Sequence, residues 1–418
     1  MHIAIIGAGA AGCFAAINLK RLDASVRITV FESGAKPLAK VAVTGGGRCN
    51  LTNSFEDVKS MASVYPRGER LMKRLLREFS HEDVYRWFEK EGVKLVTQDD
   101  QCVFPKSQDA MEIVDTLTRL MREYGVVVKT GHRVSMIEKT DHDEGTDERF
   151  RLFFNDNSAS PQCADIVVVT TGGSSKQSGL GMLDGFGLDI AEPVPSLFSL
   201  CLPKHNITEL MGTVVDDVTV GITGTKHKAR GALLVTHWGV SGPAILKLSS
   251  YAARTLKECN YKAQLSINWF GSMNETEVME RIMEISIKNR QKRLATVSPE
   301  KINNRLWIHL LQQSGINPQQ RWGELARKSY NRLVNTMTND LYAIDGKNRF
   351  KDEFVTCGGV ALSNHHPSTL ECNTCKGLYF AGEVLDVDAI TGGFNLQAAW
   401  TMGYVVAKAI VEKGKRNT

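Results

Sequence analysis

Near its start the chain reads Ile3-Ala4-Ile5-Ile6-Gly7-Ala8-Gly9-Ala10-Ala11-Gly12, and this stretch decides the fold. The apolar run predicts a short buried strand, and the G-x-G-x-x-G spacing predicts a tight turn into a helix over Ala10–Leu22. The first glycine permits the turn, the second lets the backbone approach a pyrophosphate, and the third lets helix and strand pack closely. The free N–H groups at the helix start would then face the phosphates.

An acidic residue completes this pattern. A second predicted strand, Val26–Phe31, ends at Glu32, twenty residues after Gly12. A carboxylate at this point can accept hydrogen bonds from ribose hydroxyls. Because strand, glycine turn, helix, strand and acid follow in order, the N-terminal region is predicted to bind a dinucleotide.

Three further motifs favour FAD over NAD. Thr44-Gly45-Gly46-Gly47-Arg48-Cys49-Asn50 is a second glycine-rich loop, which can wrap the pyrophosphate and approach the flavin with Arg48 near the phosphates. The apolar strands at 167–173 and 377–383 end in Thr-Gly-Gly and Gly-Glu, and the second places Glu383 near the ribitol or phosphate linker. Tight turns of an ordinary α/β domain would explain one of these motifs but not all three.

A Gly392-Gly393 turn opens the last predicted helix, Asn395–Val411. A helix N-terminus here would direct N–H dipoles at the flavin N1–O2 edge, where negative charge accumulates on reduction. An ordinary helix cap is the alternative. The residues predicted to contact the cofactor are Gly7, Gly9, Ala10, Ala11, Gly12, Glu32, Ser33, Lys40, Thr44, Gly45, Gly46, Gly47, Arg48, Cys49, Asn50, Thr52, Val134, Thr171, Gly172, Gly173, Gly382, Glu383, Asp388, Gly392, Gly393, Phe394 and Asn395.

Two residues are candidate proton donors. Cys49 lies in the loop expected near the flavin, and His237 lies in the Thr-His-x-Gly-x-Ser-Gly-Pro motif. Each has a structural alternative: Cys49 as a small packing residue and His237 as a residue that stabilises a turn.

The chain contains one CxxC motif, Cys372-Asn373-Thr374-Cys375. This motif has no partner pair at ligand spacing, so we interpret it as a turn and predict no metal site.

Composition bounds the class of protein. With 418 residues, 42% of them hydrophobic and 23% charged, the chain is predicted to be a soluble globular protein of two or three units. Nine scattered cysteines do not suggest a disulfide framework, and no apolar run reaches the roughly 18 residues of a membrane span. The start shows no signal-peptide pattern, so we expect a cytoplasmic protein.

Positive charge is concentrated in one region. Between Lys288 and Arg332, ten basic residues and two acidic ones give a net charge of +8, against +5 for the whole chain. Trp307, Trp322 and Tyr330 lie among these cations, a pattern suited to RNA phosphates and bases. Helical spacing also suits a core, in which we expect most of the Trp area to be buried. The second basic cluster, predicted on one helix, contains Arg67, Arg70, Lys73, Arg74 and Arg77.

The patterning changes along the chain. After two prolines near 193–195 it becomes short alternating strands up to about residue 270, then helical from 274 to 336. The α/β pattern returns at about 354, and a polar hairpin tip is predicted at 140–148. The sequence therefore indicates an interrupted α/β domain.

The chain resembles the BaiN/RdsA-like family of NAD(P)/FAD-dependent oxidoreductases over essentially its full length. The resemblance rests on the fingerprint at 7–12, the loop at 44–50, Thr236-His237-Trp238-Gly239-Val240-Ser241-Gly242-Pro243, Gly358-Gly359-Val360 and the run at 377–397. It implies an α/β fold: a Rossmann-like (GR2-type) FAD-binding domain, discontinuous at 1–192 and 353–418. A β-barrel-like domain (193–272 and 334–352) would be inserted in it, with a nested helical domain (273–333).

The resemblance also implies FAD as bound cofactor and NAD(P)H as reductant. Its members are linked to dihydrouridine formation in large-subunit rRNA and to C=C reduction in bile-acid intermediates. We therefore predict hydride transfer to a uridine of rRNA. The RNA would be held by the helix predicted at Arg67–Arg77 and by the helical insert with Lys288, Arg290, Lys292, Arg293, Arg327 and Lys328. A small-molecule enone reductase and a non-catalytic flavin-containing RNA-binding protein are the alternatives. Residues 172–177 lack the proline usual in the family, which leaves the substrate open.

Overall fold

The computed structural model describes residues 1–140, 149–155, 159–174, 177–203, 205–348 and 355–417. The hairpin tip predicted at 140–148 therefore lies, apart from its first residue, outside the described residues. The chain forms two compact units: Met1–Val194 with Val355–Thr418, and Pro195–Phe354. We call them the first and the second unit.

A parallel sheet forms the centre of the first unit. Among the described residues its strands run in the order β19-β10-β1-β2-β6. The apolar runs of β1, β10 and β19 are buried along their whole length, because a parallel sheet is covered on both faces, whereas the edge strand β6 is partly exposed. The bounds are β1 His2–Ile6, β2 Arg27–Phe31, β6 Val127–Lys129, β10 Ile166–Val169 and β19 Leu378–Phe380.

Helices cover this sheet, and two of them approach very closely. A Cβ on Gly403 would lie 2.8 Å from the Ala11 carbonyl oxygen, so only glycine allows this helix contact. Phe14 packs nearby against Trp400, with the rings tilted and their centroids 5.3 Å apart. The helices are α1 Ala10–Leu22, α2 Ala39–Gly47, α3 Met61–Val64, α4 Glu69–Leu75, α5 His81–Lys90, α6 Ala110–Glu123 and α12 Phe394–Asn417.

Smaller sheets complete the first unit. One has the order β3-β5-β4 and another β7-β8-β9, while β11 pairs with β18. The bounds are β3 Thr52–Asn53, β4 Leu95–Thr97, β5 Cys102–Pro105, β7 Val134–Lys139, β8 Phe150–Phe154, β9 Gln162–Ala164, β11 Ile190–Ser196 and β18 Val355–Val360.

The second unit contains a nearly closed, barrel-like antiparallel sheet in the order β12-β15-β14-β13-β16-β17. Its two edges approach each other, because Leu200 bridges Lys347 and the Cys201 N–H donates to the Gly346 carbonyl at 2.9 Å. The bounds are β12 Leu200–Cys201, β13 Val214–Ile222, β14 Lys228–Thr236, β15 Gly239–Ser241, β16 Lys262–Asn268 and β17 Asp340–Asp345.

Helices follow β15 and β16 in this unit. They are α7 Pro243–Tyr251, α8 Ala253–Glu258, α9 Glu275–Lys288, α10 Asn304–Gln313 and α11 Arg327–Thr338. Sheet residues such as Leu265 share one hydrophobic core with helical residues such as Leu306 and Leu333. The finer division predicted here, with 273–333 as a separate helical domain, stays a prediction.

None of the helices in the described part of the chain combines the length and the apolarity needed to cross a membrane.

Candidate functional site

The three glycines of the fingerprint occupy different surroundings. A Cβ on Gly7 would lie 2.5 Å from the Thr170 carbonyl oxygen, and one on Gly12 would lie 2.0 Å from the Gly7 carbonyl oxygen. At Gly9 no described protein atom, chain neighbours aside, lies within 4 Å of that position. Two glycines therefore serve packing, and Gly9 leaves open space above the backbone.

The N-terminus of α1 carries neither an acidic side chain in its first turn nor a side-chain cap. Gly9 is its N-cap without a side-chain hydrogen bond, and the first turn, which contains Ala10, Ala11 and Gly12, has no acidic residue. The first N–H groups of a helix have no intrahelical acceptors and carry partial positive charge. The helix start can therefore bind an anion such as a diphosphate.

Glu32 is held beside this turn. Its carboxylate accepts hydrogen bonds from the N–H groups of Ala8 at 2.9 Å and Gly34 at 2.6 Å, and the Ser33 hydroxyl donates to it at 3.2 Å. Val134, the first residue of β7, has a buried side chain. The Glu32 carboxylate lies at the end of β2, as the sequence predicts.

The second glycine loop emerges from α2. The helical conformation breaks at Thr44, and Gly45 and Gly46 have left-handed φ angles of 59° and 70°. The loop then closes on itself, because the Cys49 N–H donates to the Thr44 carbonyl at 2.9 Å. A Cβ at Gly46 or Gly47 would meet no described atom within 4 Å, chain neighbours excepted, so this backbone can be approached closely.

The Arg48 side chain is exposed at the edge of this loop. Its guanidinium lies 4.4 Å from the centroid of the Phe104 ring and donates to the Gly45 carbonyl at 3.2 Å. The cation is therefore oriented by its neighbours and remains accessible to solvent.

A second group of predicted residues meets at the ends of β10 and β19. The Glu383 carboxylate accepts from the Thr356 N–H at 2.6 Å and lies 3.9 Å from the Lys40 ammonium, whose side chain is 66% exposed. A Cβ on Gly173 would lie 2.6 Å from Glu383, whereas Gly172, beside the exposed Thr171, meets only atoms at 3.9 Å and beyond. Gly382 adjoins α1, with its Cβ position 3.0 Å from the Ala11 Cβ.

Residues from the two ends of the chain meet at the start of α12. The Asn53 amide donates to the Gly392 carbonyl at 3.0 Å, and the Thr52 hydroxyl donates to the Gln397 amide oxygen at 2.5 Å. The Asn50 amide, oriented to suit its neighbours, accepts from the Gly393 N–H at 3.3 Å.

The loop before α12 is pinned by its own residues. The Asn395 side chain bonds both the N–H and the carbonyl of Ala389, at 2.9 and 3.0 Å. Phe394 is buried, and its carbonyl accepts from the Tyr65 hydroxyl at 2.9 Å. The helix therefore begins in a fixed position.

Asp388 has a partner that the sequence did not indicate. The sequence predicts Asp388 as a cofactor contact; the structure places its fully buried carboxylate on the Arg67 guanidinium, which donates to both oxygens. Gly68 has φ +80°, and its Cβ position lies 2.6 Å from a Val387 methyl carbon. No local pattern links residue 67 to residue 388, so the sequence alone gave no signal for this pair.

The prediction that the second basic cluster lies on one helix is wrong. The left-handed backbone at Gly68 delays the start of α4 to Glu69, so Arg67 precedes the helix, and Arg77 follows its end at Leu75. Arg67 is also largely buried on Asp388. The exposed cations of the cluster are Arg70, Lys73, Arg74 and Arg77.

The two candidate proton donors belong to different units. Cys49 in the first unit is fully buried with φ 59°, and burial raises the pKa of its thiol to about 12. His237 in the second unit is exposed in the turn between β14 and β15, edge-on to Trp238. Hydrogen bonds between Thr236 and Gly239 hold this turn. Because of its raised pKa, the Cys49 thiol keeps its proton over the physiological pH range.

The cations predicted to bind RNA are exposed, and the aromatic residues among them are not. Trp307 and Trp322 are fully buried and stack on each other at 5.8 Å, and Tyr330 is 8% exposed. These rings serve the core, so the base-stacking interpretation is wrong for these three residues. The exposed cations are Lys288, Arg290, Lys292, Arg293, Arg327 and Lys328.

The residues of the first unit fit FAD. Backbone without side chains at Gly9, Gly46, Gly47 and Gly172 offers space for close approach. The start of α1 with the exposed Lys40 supplies positive charge suited to a diphosphate, and a carboxylate at the end of β2 suits a ribose. The predicted contacts with FAD remain proposals residue by residue.

Comparisons with known proteins identify the family of this chain. A family model described as the HI0933-like protein Rossmann domain matches residues 1–409. The chain is 28% identical over 426 residues to a protein of Clostridium scindens named 3-dehydro-bile acid delta(4,6)-reductase, with 99% of each chain covered. It is 30% identical over 415 residues to a protein of Haemophilus influenzae named ribosomal RNA dihydrouridine synthase, with 97% of each covered.

A solved structure supports the fold alone. The 3-ketosteroid delta1-dehydrogenase from Sterolibacterium denitrificans superposes with a TM-score of 0.50 at 12% identity, covering 98% of this chain and 99% of that one. The expected resemblance, the α/β fold and FAD as cofactor are thus confirmed. This protein is an FAD-dependent oxidoreductase that belongs to the HI0933-like Rossmann-domain family.

Proposed function

We propose that the protein reduces an activated C=C bond and that its substrate is a uridine of large-subunit rRNA. The balanced reaction is uridine plus NAD(P)H plus a proton to dihydrouridine plus NAD(P)⁺. FAD, when bound, carries the hydride from the nicotinamide to the electron-poor carbon. A relative that is 30% identical is named for rRNA dihydrouridine synthesis, which supports this choice.

The chain's own residues would divide the work. The start of α1, Lys40, the 44–50 loop and Glu383 would hold the cofactor. N–H groups at the start of α12 would stabilise the negative charge that a flavin gains on reduction. Cys49 or His237 would give the proton to the carbon opposite hydride attack.

The cation-rich surface of the second unit is the observation that carries the RNA proposal. Within the described residues, no side-chain hydrogen bond or ion pair is made by Lys288, Arg290, Lys292, Arg327 or Lys328. Charges that are neither paired nor needed for packing are available for phosphates. A polyanionic substrate explains their number better than a small apolar one.

A small-molecule enone reductase is the second candidate. The Clostridium scindens relative is named for reduction of a bile acid and matches 99% of both chains at 28% identity. Such a substrate would need no cationic surface, which separates the two candidates experimentally.

The test is dihydrouridine mapping of rRNA from a strain that lacks the gene. We expect loss of one dihydrouridine, restored by the wild-type gene. Restoration should fail with a K292Q/R293Q/R327Q/K328Q variant, although the purified variant should still oxidise NAD(P)H with an artificial acceptor. An unchanged dihydrouridine map would rule out the rRNA substrate, and RNA binding without turnover would indicate a non-catalytic RNA-binding role.

A further inference from the structure

The cation-rich part of the second unit exposes two large nonpolar side chains. Of the described residues between 273 and 338, Met283 and Ile287 are the exposed large hydrophobic ones, at 44% and 71%. They lie one turn apart on the same side of α9. Because the aromatic rings of this region are buried, any nonpolar contact with a ligand here has to come from such aliphatic side chains.

Packing brings the cations together around the end of α9. The Ser286 hydroxyl bonds the Tyr330 hydroxyl at 2.5 Å and the Trp322 carbonyl at 3.4 Å. These contacts hold the last turn of α9 against the first turn of α11 and against residues 320–323.

A short backbone ladder extends this arrangement. The Trp322 N–H donates to the Lys292 carbonyl at 3.1 Å, and the Gly323 N–H donates to the Arg290 carbonyl at 2.9 Å. The segment 290–293, which contains Arg290, Lys292 and Arg293, therefore runs beside the segment 321–323, which contains Arg321. We define the α9-end surface as Ile287 with Lys288, Arg290, Lys292, Arg293, Arg327 and Lys328.

Charge divides α9 into two parts. Glu280 is exposed one turn before Met283, and Glu284 is exposed one turn before Ile287 and Lys288. The other cations of the surface lie beyond the end of α9 or at the start of α11. Around the end of α9 the cations outnumber Glu284, whereas Met283 lies between Glu280 and Glu284, so a polyanion is attracted more strongly to the helix end. Ile287 is thus the exposed nonpolar side chain that a bound polyanion would meet.

We propose, resting on the function proposed above, that the α9-end surface binds RNA at a position where a base is unstacked. The cations contact the phosphates on either side, and Ile287 packs against the face of the free base. Aliphatic side chains make such contacts with unstacked bases. In a paired A-form helix the base faces are covered, so this surface prefers unpaired RNA.

The experiment measures binding of the full-length FAD-loaded protein to two RNAs of equal length and composition. One is a hairpin with a uridine-rich loop and the other a continuous duplex. The variants are Ile287→Ser, the matched control Met283→Ser on the same helix, and K292Q/R293Q, and thermal unfolding verifies that each remains folded.

We expect Ile287→Ser to weaken hairpin binding about tenfold, the effect of removing one aliphatic side chain from the interface, and to leave duplex binding unchanged. Met283→Ser should change neither. K292Q/R293Q should weaken binding to both RNAs. On the hairpin loop it should also reduce the dependence of log affinity on log salt by about 0.7 for each phosphate that the variant no longer neutralises.

Equal effects of Ile287→Ser and Met283→Ser, or equal losses on hairpin and duplex, would overturn the proposal. So would an effect of Ile287→Ser on binding to intact large ribosomal subunits but not to isolated rRNA, which would assign Ile287 to a protein contact. Dihydrouridine mapping tests the proposed reaction separately. If RNA binding depends on Ile287 but no dihydrouridine is formed, the proposed reaction is rejected and the RNA-binding role of the α9-end surface stands.

Discussion

The Arg67 guanidinium donates to both carboxylate oxygens of Asp388, across 321 residues of chain, and the carboxylate is completely buried. The pair fixes the segment that leads to Gly392, Gly393 and the start of α12. A buried ion pair is weak support for stability as such, but removing one partner leaves the other charge buried without compensation.

Arg67→Met should therefore lower the free energy of unfolding by about 3–5 kcal/mol, measured by urea denaturation of the cofactor-free protein. Its affinity for FAD should also fall, because the turn before α12 loses its support. The double variant R67M/D388L, which removes both charges of this pair, should recover at least half of the lost stability. A single variant as stable as the wild type would contradict this role.

Alanine at Gly9 and at Gly12 should separate cofactor binding from folding. Gly9→Ala adds a methyl group in open space at φ −85°, which any residue adopts, so the thermal unfolding of the cofactor-free protein should not change. FAD affinity should fall about tenfold or more, equivalent to ~1.4 kcal/mol, because the methyl group occupies the approach to the backbone.

Gly12→Ala is the contrasting case. Its Cβ would lie 2.0 Å from the Gly7 carbonyl oxygen, so the variant should lose about 1–3 kcal/mol of stability before any cofactor is added. Equal FAD affinity of Gly9→Ala and the wild type would show that the diphosphate does not approach this turn.

Replacement of Cys49 tests the proton donor. If the thiol donates the proton, Cys49→Ala should slow product formation about 10²- to 10⁴-fold and leave cofactor reduction by NAD(P)H unchanged. Since the pKa of the buried thiol is about 12, the wild-type rate of this step should be flat between pH 6 and 9. Stopped-flow measurement of both half-reactions distinguishes the steps.

Cys102→Ala, which removes another buried thiol of the first unit, is the control and should leave both half-reactions intact. A full rate in Cys49→Ala together with a loss in His237→Ala would transfer the role to His237.

Asp340 makes the stability of the second unit depend on pH. Burial raises the pKa of its carboxyl from 3.8 to about 6, although the Tyr342 hydroxyl donates to it at 2.5 Å and the Trp269 N–H at 3.0 Å. The folded state thus binds the proton more tightly than the unfolded state. Stability from this group is present below about pH 4 and is lost as pH rises to about 6.

The difference in free energy of unfolding between wild type and Asp340→Asn should therefore change by about 2 kcal/mol between pH 4 and pH 7, in favour of the variant at the higher pH. Urea denaturation across this range gives the difference directly. Asp345→Asn, on the exposed part of the same strand, should show little change. Parallel pH curves for wild type and Asp340→Asn would refute a raised pKa.

Structural features that depend on residues close together in the chain could be predicted from the sequence. The strand, glycine turn and helix at 3–22 follow from apolar spacing and from the space that only glycine leaves, and the structure confirms them. Helix α7 was missed because short strands dominate its surroundings, although Gly242 and the Pro243 that begins it are typical helix-start residues.

Contacts between residues far apart in the chain could not be predicted from the sequence. The pairing of Arg67 with Asp388 depends on tertiary packing, and both residues looked suited to other partners, RNA and the cofactor. Helical spacing likewise could not decide whether Trp307 faced the core or a ligand. Trp307 is buried in the core, so the nonpolar contact proposed for the α9-end surface is assigned to Ile287.

The order of synthesis gives the interrupted parallel sheet a consequence for folding in the cell. Val168 of β10 pairs with Tyr379 of β19, and the whole second unit is translated between these strands. At 5–20 residues per second, β10 waits about 10–40 s for its neighbour. The second unit, being continuous, can fold during that time, whereas one edge of an entirely apolar strand stays open to aggregation or chaperone capture. FAD capture is therefore among the last events after translation, and C-terminal truncations should fail at this stage.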